Sequence, residues 1–136
     1  MESSSKRVEL MPVGSGAMLN SENYARIAEG VMKPRQDDRM FRLLTTSKLR
    51  RIYSFIMNLY TQINAPEDFE NRIGDLQYLK VKMAYEAGRE QSVRDFLDAT
   101  QLMNAIDSIK TYDQFMLYCR YAESLVAFFK FYGGKE

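Results

Sequence analysis

The sequence predicts an all-α protein, a compact single-domain bundle of about five to six helices. A chain of 136 residues suits one domain and is long enough to bury a hydrophobic core. Apolar residues make up 46% of it and recur beyond residue 20 at three- and four-residue spacing. That spacing is typical of amphipathic helices, and no stretch there alternates as a β-strand does.

Residues 1–20 are expected to form a flexible N-terminal lead-in, and residues 21–136 the helical bundle domain. The first segment contains Ser3-Ser4-Ser5, Pro12 and Gly14-Ser15-Gly16. Such residues punctuate turns and loops, and the apolar residues between them show no sustained period.

The first two helices flank a basic segment. The first helix should end before Pro34, because proline cannot continue a helix. Residues 33–45 are then expected to form a basic loop. Thr45 or Thr46 can cap the second helix, which should run to about Ile63.

The third helix should begin at Ala65-Pro66 and continue to about Ala87, where Gly88 is a plausible end. It has a main apolar face and a second stripe on the far side. A helix with two apolar faces is either central in a bundle or shared with a partner. We therefore expect the second stripe to be buried against another helix or a neighbouring subunit. It consists of Tyr78, Val81 and Tyr85.

The last third of the chain predicts a broken helix and a long final helix. Residues 90–109 are expected to be helical, with a break near Ala99-Thr100. The final helix should start at Thr111, whose spacing to Gln114 is that of a capping box, and run to about Tyr132. Most of its circumference is apolar, so it should be the central helix.

The composition argues against catalysis. The chain has no histidine, which is the commonest general acid or base and the commonest metal ligand. The single cysteine, Cys119, lies on an apolar helix face and should be structural. Asp37-Asp38 has no further residues at metal-ligand spacing. We expect no catalytic residue, no metal and no cofactor.

Basic residues concentrate between residues 33 and 51. Seven cations and two acids give this segment a net charge of +5, within a chain whose formal charge is +1. A local basic segment indicates contact with a polyanion, although a solvated basic loop is an equally good interpretation of charge alone. The candidate binding residues here are Lys33, Arg35, Arg39, Arg42, Lys48, Arg50 and Arg51.

Two of these residues, Arg50 and Arg51, fall in the first turns of the second helix. Cations are unfavourable at the positive end of a helix dipole unless an anion lies nearby, which favours an anion site. Arg89 is added as a candidate beside the end of the third helix, where a cation is favourable. We expect it to be structural first and to face a polyanion second.

The sequence also predicts a cytoplasmic protein without membrane contact. No apolar run approaches the roughly 18 residues that a membrane span requires. The Ser-rich first residues do not resemble a signal peptide, and a single cysteine cannot form an internal disulfide.

Three segments resemble, in order and spacing, the small subunit of type III-A CRISPR (Csm) effector complexes. They cover about residues 40–135, and Ser124 and Phe129 are small departures from the family pattern. The segments are Leu44-Thr-Thr-Ser-Lys-Leu-Arg-Arg-Ile-Tyr53, Tyr78-Leu-Lys-Val-Lys-Met-Ala-Tyr-Glu-Ala-Gly-Arg89 and Arg120-Tyr-Ala-Glu-Ser-Leu-Val-Ala-Phe-Phe-Lys-Phe-Tyr-Gly-Gly-Lys135.

This resemblance implies a non-catalytic helical subunit present in several copies. The copies would stack along the backbone subunits, contact the large subunit, and line the groove that holds the guide RNA–target RNA duplex. RNA cleavage would belong to the backbone subunits. A pure protein–protein adaptor without RNA contact is the alternative class, and a metal-dependent ribonuclease is a distant third.

Overall fold

A computed structural model describes residues 8–13 and 17–136, and it confirms the all-helical bundle. No helix within these residues is long and apolar enough to cross a membrane. Seven α-helices follow a two-stranded sheet, because the third predicted helix is divided in two and a further short helix lies in the predicted basic loop. The elements are β1 (Glu9–Val13), β2 (Ala17–Asn20), α1 (Tyr24–Met32), α2 (Arg39–Leu43), α3 (Thr46–Tyr60), α4 (Pro66–Glu70), α5 (Ile73–Arg89), α6 (Gln91–Thr100) and α7 (Tyr112–Phe131), with 3₁₀ turns at Lys33–Arg35 and Asn104–Ser108.

The segment that was expected to be a flexible lead-in contains an antiparallel hairpin. Leu10 pairs with Leu19 across β1 and β2, and both leucines are buried. Gln114 of α7 donates from its side-chain amide to the Glu9 carbonyl at 2.8 Å. Two cross-strand leucines therefore attach this segment to the bundle, although they are too few to produce a visible period. The remainder of the predicted lead-in, residues 1–7 and 14–16, lies outside the described residues.

The long final helix is central, as predicted. α7 packs against α1 and α3 and also contacts α4 and β1. Thr111 caps it, since the Thr111 hydroxyl accepts from the Gln114 amide at 3.1 Å. Its largest core side chains are completely or almost completely enclosed: Phe115, Tyr118, Tyr121, Leu125 and Phe129.

The basic loop predicted at residues 33–45 is wrong in part, because the short helix α2 lies within it. Met40 and Phe41 of α2 are buried. The Phe41 ring lies 4.8 Å from the Phe129 ring, centroid to centroid. These two apolar residues anchor a stretch whose charges dominate its sequence, so the cations around them are held on a short helix.

The third predicted helix is two helices, α4 and α5, separated by a turn at Asn71 and Arg72. α5 runs antiparallel to α3, so its C-terminal end lies beside the start of α3. The predicted break near Ala99-Thr100 is confirmed. There Gln101 adopts a left-handed conformation with φ of 62° and ends α6.

Candidate nucleic-acid interface

The N-terminus of α3 is completed by the chain's own C-terminal tail. The Thr46 amide and hydroxyl both donate to the Lys135 carbonyl, at 2.7 and 2.8 Å. The Thr45 hydroxyl accepts from the Lys48 amide at 3.2 Å, which confirms the predicted cap. Two donors of the first turn are therefore already used. This weakens the expectation that the helix end itself binds an anion.

Carboxylates of α5 and of the residue after it lie beside the cations at this helix end. The Lys48 ammonium is 2.8 Å from a Glu90 oxygen, and the Arg51 Nε is 3.0 Å from a Glu86 oxygen. The Arg89 guanidinium is 3.7 Å from the other Glu86 oxygen. Of the two cations that are unfavourable at this helix end, Arg51 is thus compensated within the chain.

These contacts bring together four of the predicted site residues, named here the basic cluster: Lys48, Arg50, Arg51 and Arg89. Against them stand two carboxylates, Glu86 and Glu90, so four positive charges face two negative ones and the net charge is +2. Arg50 is exposed and forms no ion pair or hydrogen bond through its side chain with any described residue. The basic cluster therefore keeps a surplus of positive charge.

The hydrogen bond from Lys48 is the largest cause that holds the pKa of Glu90 below its usual range. The positive charge of the same lysine and that of Arg89 act in the same direction. The Glu90 carboxylate therefore stays ionised to lower pH than an isolated glutamate, and the contact with Lys48 persists with it.

The other four predicted site residues lie along α2 and the turn before it, and most are engaged. Arg39 forms a bidentate pair with Asp95 of α6, at 3.0 and 2.9 Å. Arg35 lies 3.4 Å from Asp38, and Arg42 donates to the Asp37 carbonyl at 3.0 Å.

Lys33 is exposed and makes no such side-chain contact within the described part of the chain. The +5 charge of the segment consequently overstates its free positive charge. Asp95 pairs with a residue 56 positions away, so a count along the sequence could not include it.

A groove between α3 and α5 adjoins the basic cluster, and sequence analysis overlooked two of its residues, Phe55 and Lys82. The Lys82 ammonium lies 5.3 Å from the Phe55 ring centroid and 4.8 Å from that of Tyr78. We name this groove, which has a volume of about 340 Å³, the aromatic groove. It is lined by Arg51, Phe55, Tyr78, Val81, Lys82, Tyr85 and Glu86.

A regular spacing in the sequence could have revealed this groove. Cations and aromatic residues lie four positions apart in three pairs, which places each pair on one helix face. The pairs are Arg51 with Phe55, Tyr78 with Lys82, and Tyr85 with Arg89. All three pairs bring the cation 4.8–5.7 Å from the centroid of its own partner ring.

The predicted burial of the second α5 stripe against another helix of this chain is wrong. Tyr78, Val81 and Tyr85 are 59%, 60% and 65% exposed. The described helices pack on the opposite face of α5, whose Leu76, Leu79 and Met83 are buried. Contact of the stripe with a neighbouring subunit stays a prediction.

The other candidates for chemistry have structural surroundings. Burial raises the pKa of the Cys119 thiol to about 12, so the thiol stays protonated and unreactive at neutral pH. Asp38 contacts Arg35 and precedes α2. Across residues 8–13 and 17–136, no three side chains of the metal-ligating types lie together as a metal site would require.

The fold and this surface define a small, mainly helical domain with a basic and aromatic face. A family profile described as Csm2 Type III-A matches residues 25–135. The CRISPR system Cms protein Csm2 of Streptococcus thermophilus is 40% identical over 121 residues, covering 88% of this chain and 99% of the relative. The protein of the same name from Enterococcus italicus is 38% identical over 137 residues, covering 92% and 97%. That of Mycobacterium tuberculosis is 30% identical over 100 residues, covering 68% and 78%.

The chain therefore belongs to the Csm2 family, the small subunits of type III-A Csm complexes. The three segments that resemble this family in the sequence converge in the structure. The first forms the start of α3, the second ends α5 at Arg89, and the third ends in the tail that bonds to Thr46. One end of each segment therefore lies beside the start of α3.

Proposed function

We propose that this chain is a non-catalytic subunit that binds the phosphates of the guide RNA–target RNA duplex. The supporting observation is the net positive basic cluster at the point where the three family segments meet. Lys48, Arg50, Arg51 and Arg89 would carry the contact, and the α2 region would extend it through Lys33, Arg35, Arg39 and Arg42. Phosphate contacts position a duplex without reading its bases.

Ion pairs within the cluster do not prevent phosphate binding. The pair of Lys48 with Glu90 is exposed on both sides and therefore weak, so a phosphate can share or replace that carboxylate. A guanidinium has five N–H donors in a fixed fork, and the pairs to Glu86 use few of them. Arg51 and Arg89 keep 59% and 53% of their side chains exposed.

The proposal includes the setting predicted from the sequence. The subunit would act in the cytoplasm beside the backbone and large subunits and further copies of itself. It would need no cofactor and no membrane. Csm2 family membership supports a place in a multi-subunit complex, and the exposed faces of α3 and α5 offer surface for both RNA and protein.

Charge reversal at Arg50 is the cleanest test. Arg51→Glu would place a carboxylate beside buried Glu86 and perturb the fold, whereas Arg50 has no partner among the described residues. We expect the complex that contains Arg50→Glu to assemble and to hold target RNA more weakly. Its log–log salt dependence should become shallower by about 0.7–0.9 for each phosphate that the subunit no longer neutralises.

The control is Arg26→Glu, a reversal of an exposed arginine on α1 that lies outside the basic cluster. It changes net charge by the same amount and should leave RNA affinity close to wild type. If the Arg50→Glu complex assembles normally and binds target RNA as tightly as wild type, the phosphate proposal is wrong. If Arg50→Glu prevents assembly instead, the protein–protein adaptor is favoured.

The absence of catalysis is tested separately. Asp37 and Asp38 are the least unsuitable metal ligands, because they lie among the cations that would face RNA. RNA hydrolysis needs a positioned base or a metal-held water. We expect the isolated chain to leave single-stranded RNA intact with magnesium or manganese present. Metal-dependent cleavage that disappears in Asp37→Ala/Asp38→Ala would instead establish a nuclease.

A further inference from the structure

The aromatic groove is not accounted for by phosphate contacts to a duplex. Tyr78 and Tyr85 are among the most exposed large apolar side chains of the described residues. Both belong to α5, on the face that no described helix covers. A contiguous exposed apolar surface of this kind marks an interaction site.

The charges around these rings determine which occupant fits. Arg51, Lys82 and Arg89 lie 4.8–5.7 Å from the centroids of Phe55, Tyr78 and Tyr85. Glu86 is the single acid that lines the groove, and its side chain is buried under two of the arginines. Three positive charges against one negative leave a net charge of +2 on a surface of flat rings.

We infer that the aromatic groove binds unpaired nucleotides of an RNA strand. Their bases stack on the rings of Tyr78 and Tyr85, and their phosphates contact Lys82 and Arg89. A duplex keeps its base faces stacked inside, so the groove selects unpaired nucleotides. The inference rests on the proposed function, because Arg51 belongs to both surfaces and Arg89 of the basic cluster lies beside the Tyr85 ring.

The cation–π contacts in the groove do not prevent a base from replacing the cation on a ring. Such contacts are weak at exposed sites, and lysine has a long flexible stem. A base that stacks on Tyr78 can displace the Lys82 ammonium, which then reaches the adjoining phosphate. Stacking platforms combined with cations bind single strands with little sequence preference, because every base has a π-face.

An acidic, apolar segment of a protein partner is the competing occupant. The observations favour RNA because cations alternate with flat rings along both helices, in the pairs Arg51–Phe55, Tyr78–Lys82 and Tyr85–Arg89. A protein segment would gain most from a continuous aliphatic face, and Val81 is the single aliphatic residue that lines the groove.

The test compares the full chain with Tyr78→Leu/Tyr85→Leu. Leucine keeps an apolar side chain and a high helix propensity but cannot stack. One probe is a short single-stranded RNA that carries 2-aminopurine, and the other is an abasic strand of equal length. The control variant is Phe131→Leu, which removes an aromatic ring that is 73% exposed and lies outside the groove.

At low salt we expect the double variant to bind the intact strand at least about fivefold more weakly than wild type. Both proteins should bind the abasic strand equally, and Phe131→Leu should match wild type with both probes. The 2-aminopurine fluorescence should change on binding wild type and stay near its free value with the double variant. Unchanged melting temperatures show that the fold is retained.

Three results would overturn the inference. The first is equal affinity of wild type and the double variant for the intact strand. The second is that wild type does not prefer the intact strand to the abasic one. The third is loss of assembly into the Csm complex while RNA affinity stays constant, which would assign the groove to a protein partner.

Failure of this inference is distinguishable from failure of the proposed function. Arg50 does not line the groove. If Arg50→Glu weakens duplex binding while the tyrosine variant behaves as wild type, the stacking inference is rejected and the proposed duplex contact is retained. If the tyrosine variant loses the intact strand while Arg50→Glu holds the duplex normally, the duplex contact is rejected and the groove remains.

Discussion

Two pairs of tyrosines on apolar helix stripes have opposite surroundings in this molecule. Tyr118 and Tyr121 of α7 are completely buried, whereas Tyr78 and Tyr85 of α5 are 59% and 65% exposed. The Tyr118 hydroxyl donates to the Leu102 carbonyl at 2.7 Å, and the Tyr121 hydroxyl to the Thr100 carbonyl at 2.8 Å. A stripe of the same residue type thus forms a core in one helix and a surface in the other.

The difference lies in what opposes each stripe. α7 is surrounded by α1, α3, α4 and β1, so its wide apolar surface finds partners on several sides. α5 packs against α3 and α6, and its outer face meets no other described element. We name these the enclosed side, around α7, and the open side, along the outer face of α5 and the start of α3. Function is expected on the open side.

The largest expected effect is on the enclosed side, at Tyr121. Tyr121→Ala should lower the free energy of unfolding by about 3–5 kcal/mol, because it leaves a cavity and removes the hydrogen bond to the Thr100 carbonyl. Tyr85→Ala should stay within about 0.5 kcal/mol of wild type, since its ring is exposed. Urea denaturation of the three proteins measures both values. A loss at Tyr85 as large as that at Tyr121 would remove the distinction between the two sides.

Substitution of Gly134 in the C-terminal tail should have the next largest effect on stability. A Cβ at Gly134 would collide with the Phe129 ring, so Gly134→Ala should cost about 1–3 kcal/mol. It should also loosen the tail that bonds to Thr46. Gly88→Ala in α5 is the matched control. Open space surrounds that position, so a gain of about 0.5–1 kcal/mol is expected there.

Thermal melts of the two glycine variants supply this measurement. If Gly134→Ala has the same melting temperature as wild type, the tail does not pack against Phe129 as the structure describes. A destabilisation at Gly88 equal to that at Gly134 would point instead to a general intolerance of added methyl groups.

Local patterns predicted what depends on neighbours in the sequence. Both threonine caps, at Thr45 and Thr111, follow from residues within four positions, and so does the break near Ala99-Thr100. The central position of α7 follows from its nearly complete apolar circumference.

Contacts across long stretches of chain account for what the sequence could not predict. The tail reaches Thr46 from 89 positions away, and Arg39 reaches Asp95 across 56. Neither has a local period. The same reason explains the basic segment, whose charge is partly cancelled by acids of α5 and α6 and by Glu90 between them.

Arginines of the open side should separate into structural and binding residues. Arg50→Ala is expected to leave stability within about 0.5 kcal/mol of wild type. Arg89→Ala should cost about 0.3–1 kcal/mol, because Arg89 lies at the C-terminal end of α5 and contacts Glu86. Differential scanning calorimetry and RNA titration on the same samples separate the two roles. Loss of RNA binding by Arg89→Ala at an unchanged melting temperature would show that Arg89 contacts RNA first.

The smallest expected effect is the acid titration of the pair between Lys48 and Glu90, also on the open side. The hydrogen bond from Lys48, followed by its charge, lowers the pKa of Glu90 from its ordinary value of 4.5. Because the folded pKa is the lower one, the stabilisation from this pair is present above pH 4.5 and is lost as the pH falls through the folded value. Lys48→Met should therefore return the pKa of Glu90 towards 4.5 and remove this part of the acid dependence of stability. Lys80→Met is the matched control, since Lys80 lowers the pKa of Asp107 through a 2.6 Å contact.

Carboxyl-detected NMR titration of the two variants reads each carboxyl separately. Lys48→Met should move the pKa of Glu90 and leave that of Asp107 in place, and Lys80→Met should do the reverse. If neither lysine changes the pKa of its own partner, both contacts are absent in solution, and the ammonium of Lys48 is then free to meet a phosphate without first leaving Glu90. The outcome therefore decides whether RNA must compete with the Glu90 carboxylate for Lys48. If it must, protonation of Glu90 at acid pH removes the competitor and favours RNA binding on the open side.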